Sequence, residues 1–300
     1  MVKPKVIVIL GPTASGKTAL SLLLAKRFKG EIISADSRQI YRRMDIGTAK
    51  ATKLEQQSIP HHLVDIKNPD EDYSVIGFKQ DTSTAIYDIT RRHKLPIVVG
   101  GTAQYIYALV DNWTIPAVKE DRALRARLKK DIAEQGLEKI YERLLKLDPE
   151  AAHVVDSKNP RRVIRALEVA MLSGQPFTAQ RQRGELLFDC LLLGIKLNPE
   201  ELAKRIEKRV RGMIAAGLVE EIENLMQKYP VNLKIFDTIG YREIVTHLQG
   251  KITLEQAVQN IITNTKHFTR RQLQWFKRDK RIHWVQNYST AEKLVADFIK

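Results

Sequence analysis

The chain has 300 residues, 43% of them hydrophobic, enough for a full core in one large or two modest domains. No run approaches the ~18 apolar residues of a membrane span, and the first apolar run leads straight into a glycine-rich loop, unlike a signal peptide, so a cytoplasmic protein with no membrane contact is expected. The single cysteine, Cys190, excludes an internal disulfide and a cysteine-rich zinc site, while a net charge of +15 spread along the whole chain favours a polyanionic partner.

In chain order, Val6 to Leu10 reads as a strand. Gly11, Pro12, Thr13, Ala14, Ser15, Gly16, Lys17 and Thr18 follow directly and match the pattern GxxxxGK with a final Ser or Thr. Such a loop turns backbone N–H groups towards phosphate oxygens, its lysine adds a point charge, and its hydroxyl holds Mg²⁺. A helix over Lys17 to Phe28 would point its positive end at the same spot. Glu31 to Ser34 and Pro96 to Val99 read as further strands with helices between them, the alternation of a doubly wound parallel α/β sheet.

From Asp121 to about Ser173 helical periodicity takes over. Leu124, Leu128, Ile132 and Leu137, then Ile140, Leu144 and Leu147, then Val163, Leu167 and Met171 recur at helical spacing. Thr114 to Pro116 and Gln175 to Gly184 read as flanking linkers, so an all-helical insertion over 117–184 interrupts a P-loop core formed by 1–116 and 185–300. Phe188 to Leu197 restores a strand, and the rest is mostly helical up to Trp284.

Ligands of doubly wound sheets bind beyond the carboxyl ends of the strands. The second strand delivers Asp36, Ser37, Arg38 and Gln39 there, and the third delivers Gly100, Gly101 and Thr102. Asp36 reads as a base or indirect Mg²⁺ ligand, or as a turn residue capping the next segment. Thr102 offers a hydroxyl to a substrate or caps a helix. Arg205 and Arg209, four apart, share a helix face on which two guanidinium groups clamp a diphosphate, although Lys204 and Lys208 beside them fit a solvated basic face equally well. His61 and His62 point apart in an extended segment and lack a third ligand at metal spacing. Arg161, Arg162 and Arg165 in the insertion, and the cations around Phe268, Trp275 and Phe276, suit RNA phosphates and splayed bases; packing of the aromatics inward is the plainer reading.

Seven separated stretches together resemble the tRNA dimethylallyltransferases, also called tRNA isopentenyltransferases: GPTASGKT at 11–18, ISADSRQIYRRMDIGTAK at 33–50, HHLVDI at 61–66, VGGT at 99–102, NPRRVIRALEV at 159–169, IGYRE at 239–243 and RRQLQWFKRD at 270–279. They occur in the family's order and span nearly the whole chain. One departure is that Ala103 and Gln104 stand between VGGT and Tyr105, where the family usually has a small or apolar pair.

The resemblance implies transfer of a dimethylallyl group from dimethylallyl diphosphate to N6 of adenine 37 beside the tRNA anticodon, with diphosphate released. It implies that the phosphate loop, Gly11 to Thr18, holds the donor diphosphate with Arg205, that Mg²⁺ sits at Thr18, and that Asp36, Thr102, Lys17 and Arg209 are catalytic. Asp36, Ser37, Arg38, Gln39, Thr102, Arg125, Arg161, Arg162, Val163, Ile164, Arg165, Arg271 and Trp275 are implied to contact tRNA, with the insertion gripping the anticodon arm. Nothing in the sequence calls for a partner chain, so a monomer is expected. The loop alone would also suit a small-molecule kinase or a nucleotide-governed RNA switch, and a related class prenylates free adenine nucleotides.

Overall fold

Val6 to Leu10 is fully buried, as the central strand of a sheet covered on both faces must be. The computed structural model describes residues 3–116, 118–180 and 183–300. The strand β1 (Lys5–Leu10) leads to α1 (Lys17–Arg27), β2 (Gly30–Ala35), α2 (Lys53–Ser58), β3 (His61–His62), α3 (Val75–Arg91), β4 (Leu95–Gly100) and α4 (Ala103–Val110). A helical stretch follows with α5 (Arg122–Gln135), α6 (Leu137–Leu147), α7 (Ala151–Val154) and α8 (Pro160–Ser173). The chain then returns through β5 (Asp189–Ile195), α9 (Pro199–Ala215), α10 (Leu218–Lys228), α11 (Tyr241–Leu248), α12 (Leu254–Phe276), β6 (His283–Val285) and α13 (Tyr288–Ile299).

The sheet has the order β3-β2-β4-β1-β5-β6 and every pairing is parallel, so the expected doubly wound α/β core is present. Register matters for the site. Gly100 lies opposite Leu10 on one side and Ala35 on the other, which brings Gly11, Asp36 and Gly101 to neighbouring strand ends. The approach is so close that a Cβ on Gly100 would stand 2.1 Å from the Ala35 carbonyl oxygen.

Helix starts follow local chemistry. Thr52 with Glu55 and Thr253 with Gln256 form capping boxes for α2 and α12, while Asn159 and Asn198 cap α8 and α9 just ahead of Pro160 and Pro199.

Two strands correct the expectation of four. β3 and β6 have two and three residues, too short to show alternation, and exist only because β2 and β5 offer open edges to pair with. Phe188, Lys196 and Leu197 lie outside β5, and Phe28 caps α1 rather than extending it.

The chain forms two compact units, residues up to Val110 with Leu187–Lys300, and Asp111–Leu186. The expected boundary at residue 117 lies outside the described residues, as do 181 and 182 of the second linker. Within the helical unit, Trp113, the residue before the first expected linker, forms an antiparallel bridge with Arg183 of the second. Leu124, Leu128, Ile140, Leu144, Val163 and Leu167 build its core, with Ile132 and Leu137 against it. Leu147 and Met171 are a correction: they close their helical faces in sequence but stand in last turns that the packing no longer covers, and both are exposed.

Candidate active site

The phosphate loop takes its shape from residues at positive φ: Ala14 at 64° and Gly16 at 96°, the latter standing at the N-cap of α1. The first N–H groups of α1 have no partner within the helix and open towards the loop. Lys17 folds over this turn, its Nζ donating to the carbonyl oxygens of Gly11 at 3.0 Å and Pro12 at 2.7 Å. Burial pulls the Lys17 pKa from 10.5 down to about 7, with repulsion from Arg209 adding to the fall and Asp36 opposing it. Ser15 is buried and its hydroxyl has no hydrogen-bond partner among the described residues. An orphan hydroxyl inside a loop of inward-turned amides is the mark of a cradle for an oxyanion.

A cavity of about 490 Å³ opens on this loop. Asp36, Gln39, Gly100, Arg205 and Arg209 line it together with Lys17 and Thr18, so these expected residues converge on the loop, whereas Ser37, Arg38, Gly101 and Thr102 do not line it. Burial lowers the Arg209 pKa against the pull of Asp36, and its Nη2 donates to the Thr48 carbonyl at 3.4 Å. Arg205 donates through Nε to Glu201 at 2.7 Å while its Nη1 would lie 3.7 Å from a Cβ on Gly16. The two arginines therefore reach the loop from one helix face, Arg209 partly buried and Arg205 still exposed beside Glu201.

Asp36 serves its turn as well as the cavity: Oδ1 accepts the Arg38 N–H at 2.8 Å. The Thr102 hydroxyl accepts the Ser37 N–H at 3.3 Å, tying the ends of β2 and β4 together. Ala103 and Gln104 form the first turn of α4, with Gln104 exposed, so the departure from the family pattern leaves Thr102 undisturbed. Gln39 is held inside, accepting from the Ser34 hydroxyl at 2.9 Å and donating to the carbonyls of Thr48 and Ala49 at 3.2 and 3.3 Å.

Thr18 is exposed at the mouth of the cavity, with the orphan Ser15 hydroxyl and the Asp36 carboxylate near it. Among the described residues no cluster of three or more His, Cys, Asp and Glu is poised to hold a metal. These oxygen donors fit a hard cation held largely through ligand phosphates, the usual habit of Mg²⁺.

Several residues that hold the site are not among the expected site residues: Glu221 lies outside the family stretches, and Lys50, Tyr241 and Gln272 lie within them without an assigned role. Glu221 of α10 accepts the N–H groups of Asp45, Ile46 and Gly47 at 2.9, 2.7 and 3.1 Å and the Tyr241 hydroxyl at 2.6 Å. Tyr241 is fully buried, and a Cβ on Gly47 would come within 2.4 Å of its ring. Buried Lys50 donates to the Tyr41 carbonyl, Asp45 and Asp65. The stretches 33–50, 61–66 and 239–243 are thus one hydrogen-bonded unit beside the cavity. Gln272 of α12, also buried, accepts the Thr13 N–H at 2.9 Å and donates to the Gly101 carbonyl at 2.8 Å.

On the outer surface of α12, Arg271 lies over the Phe268 ring at 5.9 Å and Trp275 is 45% exposed, so the aromatics there do not all pack inward. In the helical unit, Arg161 and Arg162 are exposed at the start of α8. Arg125 and Arg165 instead converge on Glu168, a fully buried carboxylate that also accepts the Asp121 N–H. Burial pushes the Glu168 carboxyl up, but the hydrogen bonds from Arg125 and Arg165 outweigh it and hold it below the usual carboxylate range. Val163 and Ile164 point into the core, which leaves only their backbone for contact with RNA.

Comparison with known proteins gives the same reading over the whole chain. The family model described as IPP transferase matches residues 39–279, and that described as isopentenyl transferase matches 4–71. A tRNA dimethylallyltransferase of Pelotomaculum thermopropionicum is 42% identical over 99% of this chain and 96% of its own length. One from Bacillus anthracis is 44% identical over 95% and 91%. Among solved structures, the full-length tRNA isopentenylpyrophosphate transferase of Bacillus halodurans superposes with a TM-score of 0.73 at 36% identity, covering 99% of this chain and 96% of that one. A eukaryotic dimethylallyltransferase acting on tRNA superposes with a TM-score of 0.78 at 32% identity, covering 95% and 75%. A parallel sheet with a phosphate loop, two arginines on one cavity and this extent of identity place the chain in the tRNA dimethylallyltransferase family.

Proposed function

We propose that this chain transfers a dimethylallyl group from dimethylallyl diphosphate to N6 of an adenosine in tRNA, adenosine 37 beside the anticodon, and releases diphosphate. The observation that carries the reading is the cavity in which Lys17, Arg205 and Arg209 gather at the phosphate loop with the Asp36 carboxylate among them. Cations around a cradle of amides bind a diphosphate and stabilise it as it leaves. The Asp36 carboxylate in the same cavity suits removal of a proton from an amine whose lone pair is delocalised into the purine ring, whereas Glu55, which also lines the cavity, is engaged by Thr52 in the cap of α2.

The atoms balance simply. N6 attacks the terminal allylic carbon, the carbon–oxygen bond breaks, and its electron pair departs on the diphosphate held by Lys17, Arg205 and Arg209. Asp36 receives the N6 proton. Mg²⁺, held by Thr18 and the diphosphate oxygens, would supply further neutralisation of the leaving group. Thr102, tied through its hydroxyl to the Ser37 N–H next to Asp36, hydrogen-bonds the acceptor base or its proton. The target base leaves its stack to reach the cavity, as base-modifying chemistry demands.

RNA contacts are assigned to Ser37, Arg38 and Gln39, to Arg161, Arg162 and Arg165 with Arg125, and to Arg271 with Trp275. Arg125 and Arg165 bind while their partner Glu168 fixes their orientation. The protein acts as a monomer.

The test is incubation with radiolabelled dimethylallyl diphosphate and unmodified tRNA, followed by mass spectrometry of the nucleosides. Absence of label in tRNA rejects the reading. Asp36→Asn keeps an acceptor for the Arg38 N–H and isolates the base: turnover should fall by about 10²–10⁴ with tRNA affinity retained, and near-normal turnover removes Asp36 from that role.

A further inference from the structure

Between the two strand-end loops that meet at the cavity stands one uncharged side chain from a distant helix. Gln272 is 5% exposed, and its amide is used at both ends: Oε1 accepts the N–H of Thr13 in the phosphate loop and Nε2 donates to the carbonyl of Gly101. Gly101 leads into Thr102, whose hydroxyl in turn accepts the Ser37 N–H next to Asp36. A single amide therefore links the loop assigned to the donor with the wall assigned to the acceptor.

The fit is tight on the Gly101 side. A Cβ there would come within 2.3 Å of Gln272 Nε2, so the missing side chain is what lets the amide enter. On the loop side, the bond to Thr13 holds the Pro12–Thr13 peptide, whose carbonyl also accepts from Lys17 and which lies two residues before the orphan Ser15 hydroxyl. The neighbours of Gln272 on α12 divide between two surroundings. Arg271 is exposed and Leu273 packs in the core. Core packing alone would be served by an apolar side chain here, and satisfying two buried backbone groups of opposite polarity calls for an amide.

We propose that Gln272 is a positioning residue for prenyl transfer: it sets the register of the phosphate loop against the Gly101–Thr102 turn, and so the distance between donor carbon and acceptor nitrogen. The proposal rests on the assignment of the loop to the donor diphosphate. Gln272 does not line the cavity, so its loss should act through the loop on donor binding and turnover while leaving tRNA affinity alone.

The experiment compares Gln272→Met, which keeps length and loses both hydrogen bonds, with Gln272→Glu, which keeps the acceptor for Thr13 but sets a carboxylate against the Gly101 carbonyl. Gln274→Met, exposed on the same helix, is the control. Each is followed by thermal melting, tRNA filter binding, binding of inorganic pyrophosphate with Mg²⁺, and KM and kcat for dimethylallyl diphosphate. For Gln272→Met, pyrophosphate affinity should fall about ten- to a hundredfold, the KM for donor should rise with it, and kcat should fall, with tRNA affinity within about twofold. Gln272→Glu should be worse near pH 8 and recover in part towards pH 5.5, because a protonated carboxyl again donates to Gly101. A purely structural role would instead lower the melting temperature and tRNA affinity together with donor binding.

Pyrophosphate binding by Gln272→Met or Gln272→Glu equal to that of the parent protein overturns the proposal. So does unchanged donor KM and kcat in a folded variant. If the parent protein binds pyrophosphate but labels no tRNA, the functional reading fails instead, and the pyrophosphate measurement still decides the role of Gln272.

Discussion

Donor binding should take up a proton, and Lys17 is the group that takes it. In the free protein burial holds its pKa at about 7. A bound diphosphate places negative charge against the ammonium and raises that pKa. At pH 8 about one tenth of Lys17 is charged before binding and nearly all of it after, so about 0.9 proton is taken up. The sign follows: the lysine's contribution to affinity is fully present below the free pKa of about 7 and is lost progressively as pH rises from there towards the raised pKa of the complex. Affinity for dimethylallyl diphosphate should therefore fall by up to about tenfold per pH unit above pH 7, since a phosphate's own last proton has left near pH 6. Calorimetric titration at pH 8 in two buffers of different ionisation heat measures the uptake directly. Lys17→Met should bind more weakly and show no uptake. Uptake below about 0.2 proton, or affinity flat between pH 7 and 9, would refute the reasoning.

The remaining predictions concern what holds the site and what meets the RNA. Glu221→Ala removes the acceptor for three loop amides and the Tyr241 hydroxyl; it should cost about 2–3 kcal/mol in denaturant unfolding and raise the donor KM, and unchanged stability would show the loop to be anchored elsewhere. Glu168→Ala leaves two partly buried arginines without their shared carboxylate; a loss of about 3–5 kcal/mol is expected, read most directly as early melting of the helical unit. Arg161→Ala with Arg162→Ala should leave the melting temperature within about 1 °C, both side chains being exposed. The same pair should weaken tRNA binding and lower the slope of log affinity against log salt by about 1–2. An unaltered slope would remove these arginines from the RNA contact.

Much of the core was legible because it is local. The phosphate loop is eight consecutive residues between an apolar strand and a helix, so its pattern survives in sequence, and buried parallel strands announce themselves as β-branched runs. Asp36, Arg205 and Arg209 could be placed because residues after strands and residues four apart on a helix have fixed neighbours. β3 and β6 could not be read, since a strand of two or three residues carries no period and is defined by the edge it pairs with. Leu147 and Met171 show the converse: periodicity marks a helix face but not where the packing stops.

The sequence by itself determined the sheet-forming runs, the phosphate loop, the helical insertion and, through seven ordered stretches, the family. Only the tertiary structure decided which polar residues hold the site together. Gln272 meets Thr13 across 259 positions and Gly101 across 171, and Glu221 reaches its loop across 174–176. Contacts of that span are set by how elements pack, and a glutamine or glutamate on a helix face looks the same in sequence whether it meets water or a buried amide.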